Sequence, residues 1–114
     1  MKSGTQDAID AVLALDRLVH EPARLAILTV LGSAELVEFG FLETVCRLSK
    51  GNLSSHLSKL EAGGLVAVDK SFRGKRPLTR IAITDAGREA LQRYRLQIAA
   101  LIHSAPTPDN RGDC

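Results

Sequence analysis

The 114 residues predict a mainly α-helical fold carrying one small antiparallel β-hairpin. Three observations lead there. Apolar residues recur at helical spacing in five stretches. The period falls to two only on either side of residues 72–77. Gly74 and Pro77 stand between those two alternating runs. At 45% hydrophobic and 25% charged, the chain has an ordinary globular balance and the length of one domain. Domains this small bury only about two-thirds of the surface their unfolded chains expose, so a partner subunit would supply useful apolar burial.

The first helix is expected over residues 7–19, where Ala8, Ile9, Ala11, Val12, Leu13, Ala14, Leu15, Leu18 and Val19 follow one another without Gly or Pro. Its apolar residues cover most of the circumference, which requires burial on more than one side and points to a second subunit. Pro22 suits the first turn of a second helix because its missing N–H has no role there, and Gly32 closes that helix. Phe39, Leu42, Val45 and Cys46 carry a short third helix over 39–48, with Leu36 to Phe39 able to add a stub of strand. Ser49 then caps a fourth helix over 50–62, with Leu53, Leu57 and Leu60 on one face and Gly63-Gly64 ending it. Alternation through Val66 and Val68, and again through Ile81 and Ile83, makes a hairpin over 65–83 whose loop is Phe72 to Pro77. Thr84 and Asp85 start a long last helix over 85–103. Its Leu91, Tyr94, Ile98, Leu101 and Ala105 form a seam in 3, 4, 3, 4 spacing like that of a coiled coil. The sequence reads as a single domain over 1–103, and residues 104–114, with two Pro and a Gly, as a disordered tail.

Several classes of function are excluded by composition. No apolar run approaches the roughly 18 residues needed to span a bilayer, and the N-terminus lacks the order of a signal peptide, so a cytoplasmic protein is expected. Two cysteines, Cys46 and Cys114, make neither a disulfide framework nor a four-ligand zinc site. With no Trp, one Tyr and three Phe, the chain lacks the aromatic platforms that stack single-stranded bases. The three histidines are dispersed, and no phosphate-binding Gly loop, nucleophile elbow or His-Glu-x-x-His occurs, so no enzyme activity and no cofactor are expected. Arg111-Gly112-Asp113 spells an adhesion tripeptide by chance.

Charge is localised. Residues 1–48 hold four basic and seven acidic groups, residues 49–80 seven and two, and residues 81–114 four of each. Between Lys70 and Arg80 there are five basic residues and no acid, whereas a merely solvated face would interleave signs. That asymmetry calls for a polyanion.

Helices, then two helices joined by the tight link Arg47 to Ser49, then a basic-tipped hairpin: this is the order of a winged helix-turn-helix, here with extra N- and C-terminal helices. A helix enters the roughly 12 Å major groove of B-DNA while a basic loop reaches adjacent phosphates or the minor groove. On the fourth helix the face away from the leucines carries Gly51, Asn52, Ser55, Ser58 and Lys59. Gly51 lets the backbone approach DNA closely, and Ser49 with the first-turn N–H groups can take a phosphate. Lys50, Asn52 and Ser55 are best placed for base edges. The candidate DNA-binding residues are therefore Ser49, Lys50, Gly51, Asn52, Ser54, Ser55, His56 and Lys59, together with Arg73, Lys75 and Arg76 of the wing. His56 lies at the edge between core and groove, free for a DNA contact or an internal one. Glu21 and Arg24 are read as pairing within the fold. The candidate dimerisation residues are Ile9, Val12 and Leu13 on the first helix and Leu91, Tyr94, Ile98, Leu101 and Ile102 on the last.

The segment Leu48-Ser49-Lys50-Gly51-Asn52-Leu53-Ser54-Ser55-His56-Leu57-Ser58-Lys59-Leu60-Glu61-Ala62-Gly63-Gly64-Leu65-Val66 resembles the recognition-helix region of bacterial MarR/ArsR-like winged-helix regulators. His20-Glu21-Pro22-Ala23-Arg24 is similar to their second-helix opening and Ser71 to Pro77 to their wing. The resemblance, over roughly residues 10–100, implies a homodimer held by the first and last helices. It also implies binding to a pseudo-palindromic operator, usually in repression. It departs from the metal sensors among them, since Cys46 and His103 are single candidate ligands in their regions; no metal site is expected, Cys46 being a packed thiol. A small-molecule effector, if one exists, would have to bind between the dimer helices and the DNA-binding core. A protein-interaction module reusing the same fold is the competing reading, and the positive wing argues against it.

Overall fold

A computed structural model describes residues 3–104. Helix α1 (Gly4–Leu13) starts where Ser3 Oγ accepts the Gln6 amide at 3.0 Å. It stops six residues before the expected end. Asp16 ends it: its carboxylate accepts the Leu18 amide at 2.9 Å and its carbonyl takes the amides of Val19 and His20, an arrangement that competes with helical bonding. The turn so formed drops Leu15 and Val19 into the core, while α1 itself buries none of its residues. The helix expected to be apolar all round is thus two things, an exposed apolar helix and a buried turn.

Helix α2 (Pro22–Gly32) opens on Glu21, whose two carboxylate oxygens accept the amides of Ala23 and Arg24 at 3.0 and 3.1 Å. It packs Ile27, Leu28 and Leu31 inward. Strand β1 is only Val37–Glu38, and helix α3 (Phe39–Cys46) follows directly, burying Leu42. Residue 47 ends α3 earlier than expected. Arg47 takes a left-handed conformation, φ 57°, and turns its N–H back to the Glu43 carbonyl. Two residues later Ser49 Oγ accepts the Asn52 amide at 3.2 Å and starts helix α4 (Lys50–Ala62), which buries Leu53, Leu57 and Leu60. One left-handed residue and one capping hydroxyl therefore set the α3–α4 angle.

Strands β2 (Val66–Arg73) and β3 (Arg76–Ile83) pair antiparallel, with β1 on the far side of β3, so the sheet order is β1-β3-β2. The expected six-residue loop is tighter. Arg73 pairs with Arg76 and Phe72 with Pro77, leaving Gly74 and Lys75 alone in the turn. Gly74 has φ +65°, a backbone that primed hairpin turns need and side chains resist. Pro77 is tolerated because β1 reaches only Arg80, so its missing N–H costs no bond on that edge.

Helix α5 (Asp85–Ser104) is locked to the hairpin base. Thr84 donates its hydroxyl to the Gly64 carbonyl at 2.6 Å and accepts the Gly87 amide at 3.0 Å, and a Cβ at Gly87 would overlap the Leu65 carbonyl. Leu91 and Tyr94 correct the expected dimer seam. They are 3% and 7% exposed, packed with Ala90 in the chain's own core, and so offer no surface to a partner. The Tyr94 hydroxyl lies 2.7 Å from His20 Nδ1. Beyond them α5 leaves the core: Ile98 and Leu101 are half-buried and Ile102 is 70% exposed. Ala105 and the tail expected over 104–114 lie outside the described residues, apart from Ser104, which ends α5.

Candidate nucleic-acid interface

Helix α4 sorts its side chains by the roughly 100° step between residues. Leu53, Leu57 and Leu60 point to the core. Gly51 and Ser55 point directly away and are exposed, as is Ser58 beside them. Lys50 and Ser54 fall on the flank toward the hairpin. Ser54, Ser58 and Glu61 of α4 line a cleft with Val68, Lys70 and Thr79 of the strands and Phe39 of α3. Asn52 and Lys59 fall on the other flank, both exposed. Ser49 is exposed with its oxygen engaged as the cap, and the other candidate residues of this helix except His56 are open to solvent.

His56 is the exception, with 21% of its side chain exposed. It faces back to the start of α2. Arg24 Nε–H donates to His56 Nδ1 at 3.3 Å, and Glu21 Oε2 lies 3.3 Å from the same nitrogen and 3.5 Å from Arg24 Nε. Burial pushes the Glu21 carboxyl up, but the amides of Ala23 and Arg24, then His56 and the Arg24 guanidinium, outweigh it and hold the pKa below its ordinary 4.5. Arg24 also donates to the Leu18 carbonyl at 3.2 Å. The cap of α2, the turn after α1 and the flank of α4 thus share one ion cluster. Glu21 and Arg24, read from sequence as internal partners, are what orient His56.

The wing carries its candidates at the tip, where Arg73, Lys75 and Arg76 are all exposed. Arg73 is within 3.3 Å of the Glu38 carboxylate, but both side chains are largely in water, where such a pair is worth little and exchanges readily for a phosphate. Lys70 was not among the sequence candidates. It alternates with Val66 and Val68 on the strand face that looks toward α4, and that period-two signal was available in the sequence. Burial raises the Cys46 thiol above its usual value, so it stays protonated as a packed side chain. Among the described residues no group of His, Cys, Asp and Glu could hold a metal, and no helix is long and apolar enough to cross a membrane.

A helix seated on two others, with its polar face beside a cationic two-stranded hairpin, defines a winged-helix DNA-binding protein. Residues 23–102 match the winged-helix DNA-binding domain family, and the chain belongs to it. That is a family of DNA-binding domains rather than enzymes. The chain is 38% identical over 85 residues, 75% of its length and 92% of the relative's, to an uncharacterised protein of Methanocaldococcus jannaschii. Its fold is similar to a transcriptional regulator homologue from Pyrococcus horikoshii, with TM-score 0.78, 30% identity and coverage of 89% and 99% of the two chains. It is also similar to the transcriptional repressor CouR bound to a 23-mer DNA duplex (TM-score 0.70, 22% identity, 96% and 75% covered). A MarR-family regulator from Silicibacter pomeroyi gives TM-score 0.61 at 22% identity, over 96% and 75% of the chains. The resemblance read from the sequence is to bacterial MarR/ArsR-like regulators; a MarR-family regulator shares the fold, and the relatives at 38% and 30% identity are archaeal.

Proposed function

We propose that this protein is a sequence-specific regulator of transcription that binds double-stranded DNA as a homodimer and represses the genes it covers. The observation that carries the reading is the α4 surface: small and polar side chains at Gly51, Asn52, Ser55 and Ser58, flanked by Lys50 and Lys59, all open to solvent beside a cationic wing. Such a surface admits the backbone and short side chains to base edges in the major groove, while Lys70, Lys75 and Arg76 reach phosphates or the minor groove. The homodimer is supported by α1, which buries nothing, and by Ile9, Val12, Leu13 and Ile102, which are 46–70% exposed. Paired through α1 and the outer half of α5, two copies would set their α4 helices about 34 Å apart, one turn of duplex, on a pseudo-palindromic site. The repressor CouR, seen on a DNA duplex with the same fold, fits this reading.

Fluorescence anisotropy of the protein on its own upstream intergenic DNA and on a scrambled duplex, at several salt concentrations, tests it. Binding to the native duplex at least about a thousandfold tighter is the expected result. Equal, steeply salt-dependent binding to both would locate the operator elsewhere, and no binding at low salt would sink the regulator reading.

A further inference from the structure

Phe72 is the most exposed large apolar side chain among the described residues, at 72%. It stands on neither α1 nor α5, where apolar exposure has an explanation in a second subunit. It lies near the tip of the wing, paired across the strands with Pro77. Alternation places Val66, Val68, Lys70 and Phe72 on one face of β2, opposite Ile83, Ile81, Thr79 and Pro77 of β3. Along that face the environment changes in steps. Val66, Ile81 and Ile83 are in the core, Lys70 and Thr79 line the cleft beside α4, and Phe72 with Pro77 continues the same face into solvent, Pro77 at the rim of a second cleft with Phe39, Gly40 and Glu43 of α3 and Lys50 of α4.

The two-residue turn at Gly74-Lys75 leaves little loop to fold over the ring, and Pro77 stiffens the strand behind it. Lys70 shares the ring's strand face, Lys75 stands in the turn, and Arg73 and Arg76 lie on the opposite face of the hairpin, where the Glu38 carboxylate is within 3.3 Å of Arg73. An apolar protein patch would have to dock at a wing tip that carries Lys70, Arg73, Lys75 and Arg76 against the nearby Glu38 carboxylate. Duplex DNA brings phosphates for the cations and apolar base surface for the ring.

We infer that Phe72, backed by Pro77, is an apolar wedge that enters the minor groove where the wing meets DNA and partly unstacks a base step there. The wing would then read how easily the duplex deforms, favouring flexible pyrimidine–purine steps, as well as its phosphates. This inference rests on the DNA-binding reading above.

The test uses the full-length protein and duplexes it enriches from a randomised pool. Affinity is followed by anisotropy at several salt concentrations and bending by energy transfer between labelled duplex ends. Phe72→Ala is expected to weaken binding about tenfold, on the scale of removing one stacked base from an aromatic ring, and to reduce the bend. The salt slope should stay unchanged, since no phosphate partner is removed. Phe72→Leu should retain part of both effects. Unaltered affinity and bend in Phe72→Ala would overturn the wedge while leaving DNA binding intact. Weakened affinity with a lowered melting temperature and an unchanged bend would make Phe72 a structural residue and overturn it as well. If the wild-type protein enriches no duplex, the regulator reading itself fails, a result distinct from either.

Discussion

Two solvent-exposed surfaces of this small domain are built in opposite ways. The face of α4 and the wing exposes Asn52, Ser55, Lys59, Lys75 and Arg76, polar or cationic side chains that water satisfies well. The face of α1 and outer α5 exposes Ile9, Val12, Leu13 and Ile102, which water does not. A surface that is content in water can wait for a partner that comes and goes. One that is not content gains roughly 25 cal/mol for each Å² it covers, so its partner is expected to stay. On the reading proposed above, the contrast is between a transient polyanion interface and a standing one with another copy of the chain.

The sharpest way to break the contrast is to charge the apolar face. Leu13→Asp combined with Ile102→Asp alters two side chains that are 67% and 70% exposed, so the fold should survive while the dimer does not. Sedimentation should report a monomer, and most of the affinity for an enriched duplex should go with it, because two half-sites are no longer held together. A surviving dimer would put the interface elsewhere. Ile98 is the poorer choice, being packed against the core, so a charge there would confuse stability with association.

On the polar face, Arg73, Lys75 and Arg76 changed together to Ala should weaken binding at low salt. The salt slope should flatten by up to about one unit for each phosphate that the wing no longer neutralises. Oligomeric state should not move. An unchanged slope would remove the wing tip from the interface.

The smallest effect is expected where the two faces are tied together. Glu21→Ala removes the cap of α2 and one partner of His56, and should cost about 1 kcal/mol near neutral pH. Because the Glu21 carboxyl titrates below 4.5 in the folded chain, its contribution is present above that value and disappears as pH falls through the lower, folded pKa. Melting curves of the two proteins should therefore converge in acid. A gap that stays constant as pH is lowered well below 4.5 would mean that the carboxylate charge contributes nothing.

Much of the fold was legible because its signals are local. The i, i+4, i+7 spacing of Leu53, Leu57 and Leu60 locates α4 and its inner face, Ser49 marks its start, and Gly74 marks the turn of the wing. The cationic run from Lys70 to Arg80 needed only counting. Other features escaped for physical reasons. Asp16 ends α1 through bonds from its own side chain, a competition that apolar periodicity cannot register. The left-handed Arg47 carries no compositional mark, since any residue before a cap could have continued the helix.

The division between sequence and tertiary structure is clearest on α5 and at His56. Periodicity by itself determined that Leu91, Tyr94, Ile98 and Leu101 share one face of a helix, because the 3.6-residue turn is a property of the local backbone. It could not say what covers that face. The tertiary structure divided it, burying Leu91 and Tyr94 under the chain's own helices and leaving Ile102 in solvent. His56 was likewise placed by the helix period at an edge. Only the approach of Glu21 and Arg24, distant in sequence, decided that one ring nitrogen faces inward. Bonds within a turn follow from the order of residues, whereas packing between elements depends on how the whole core closes, and a single sequence does not write that closure in any one place.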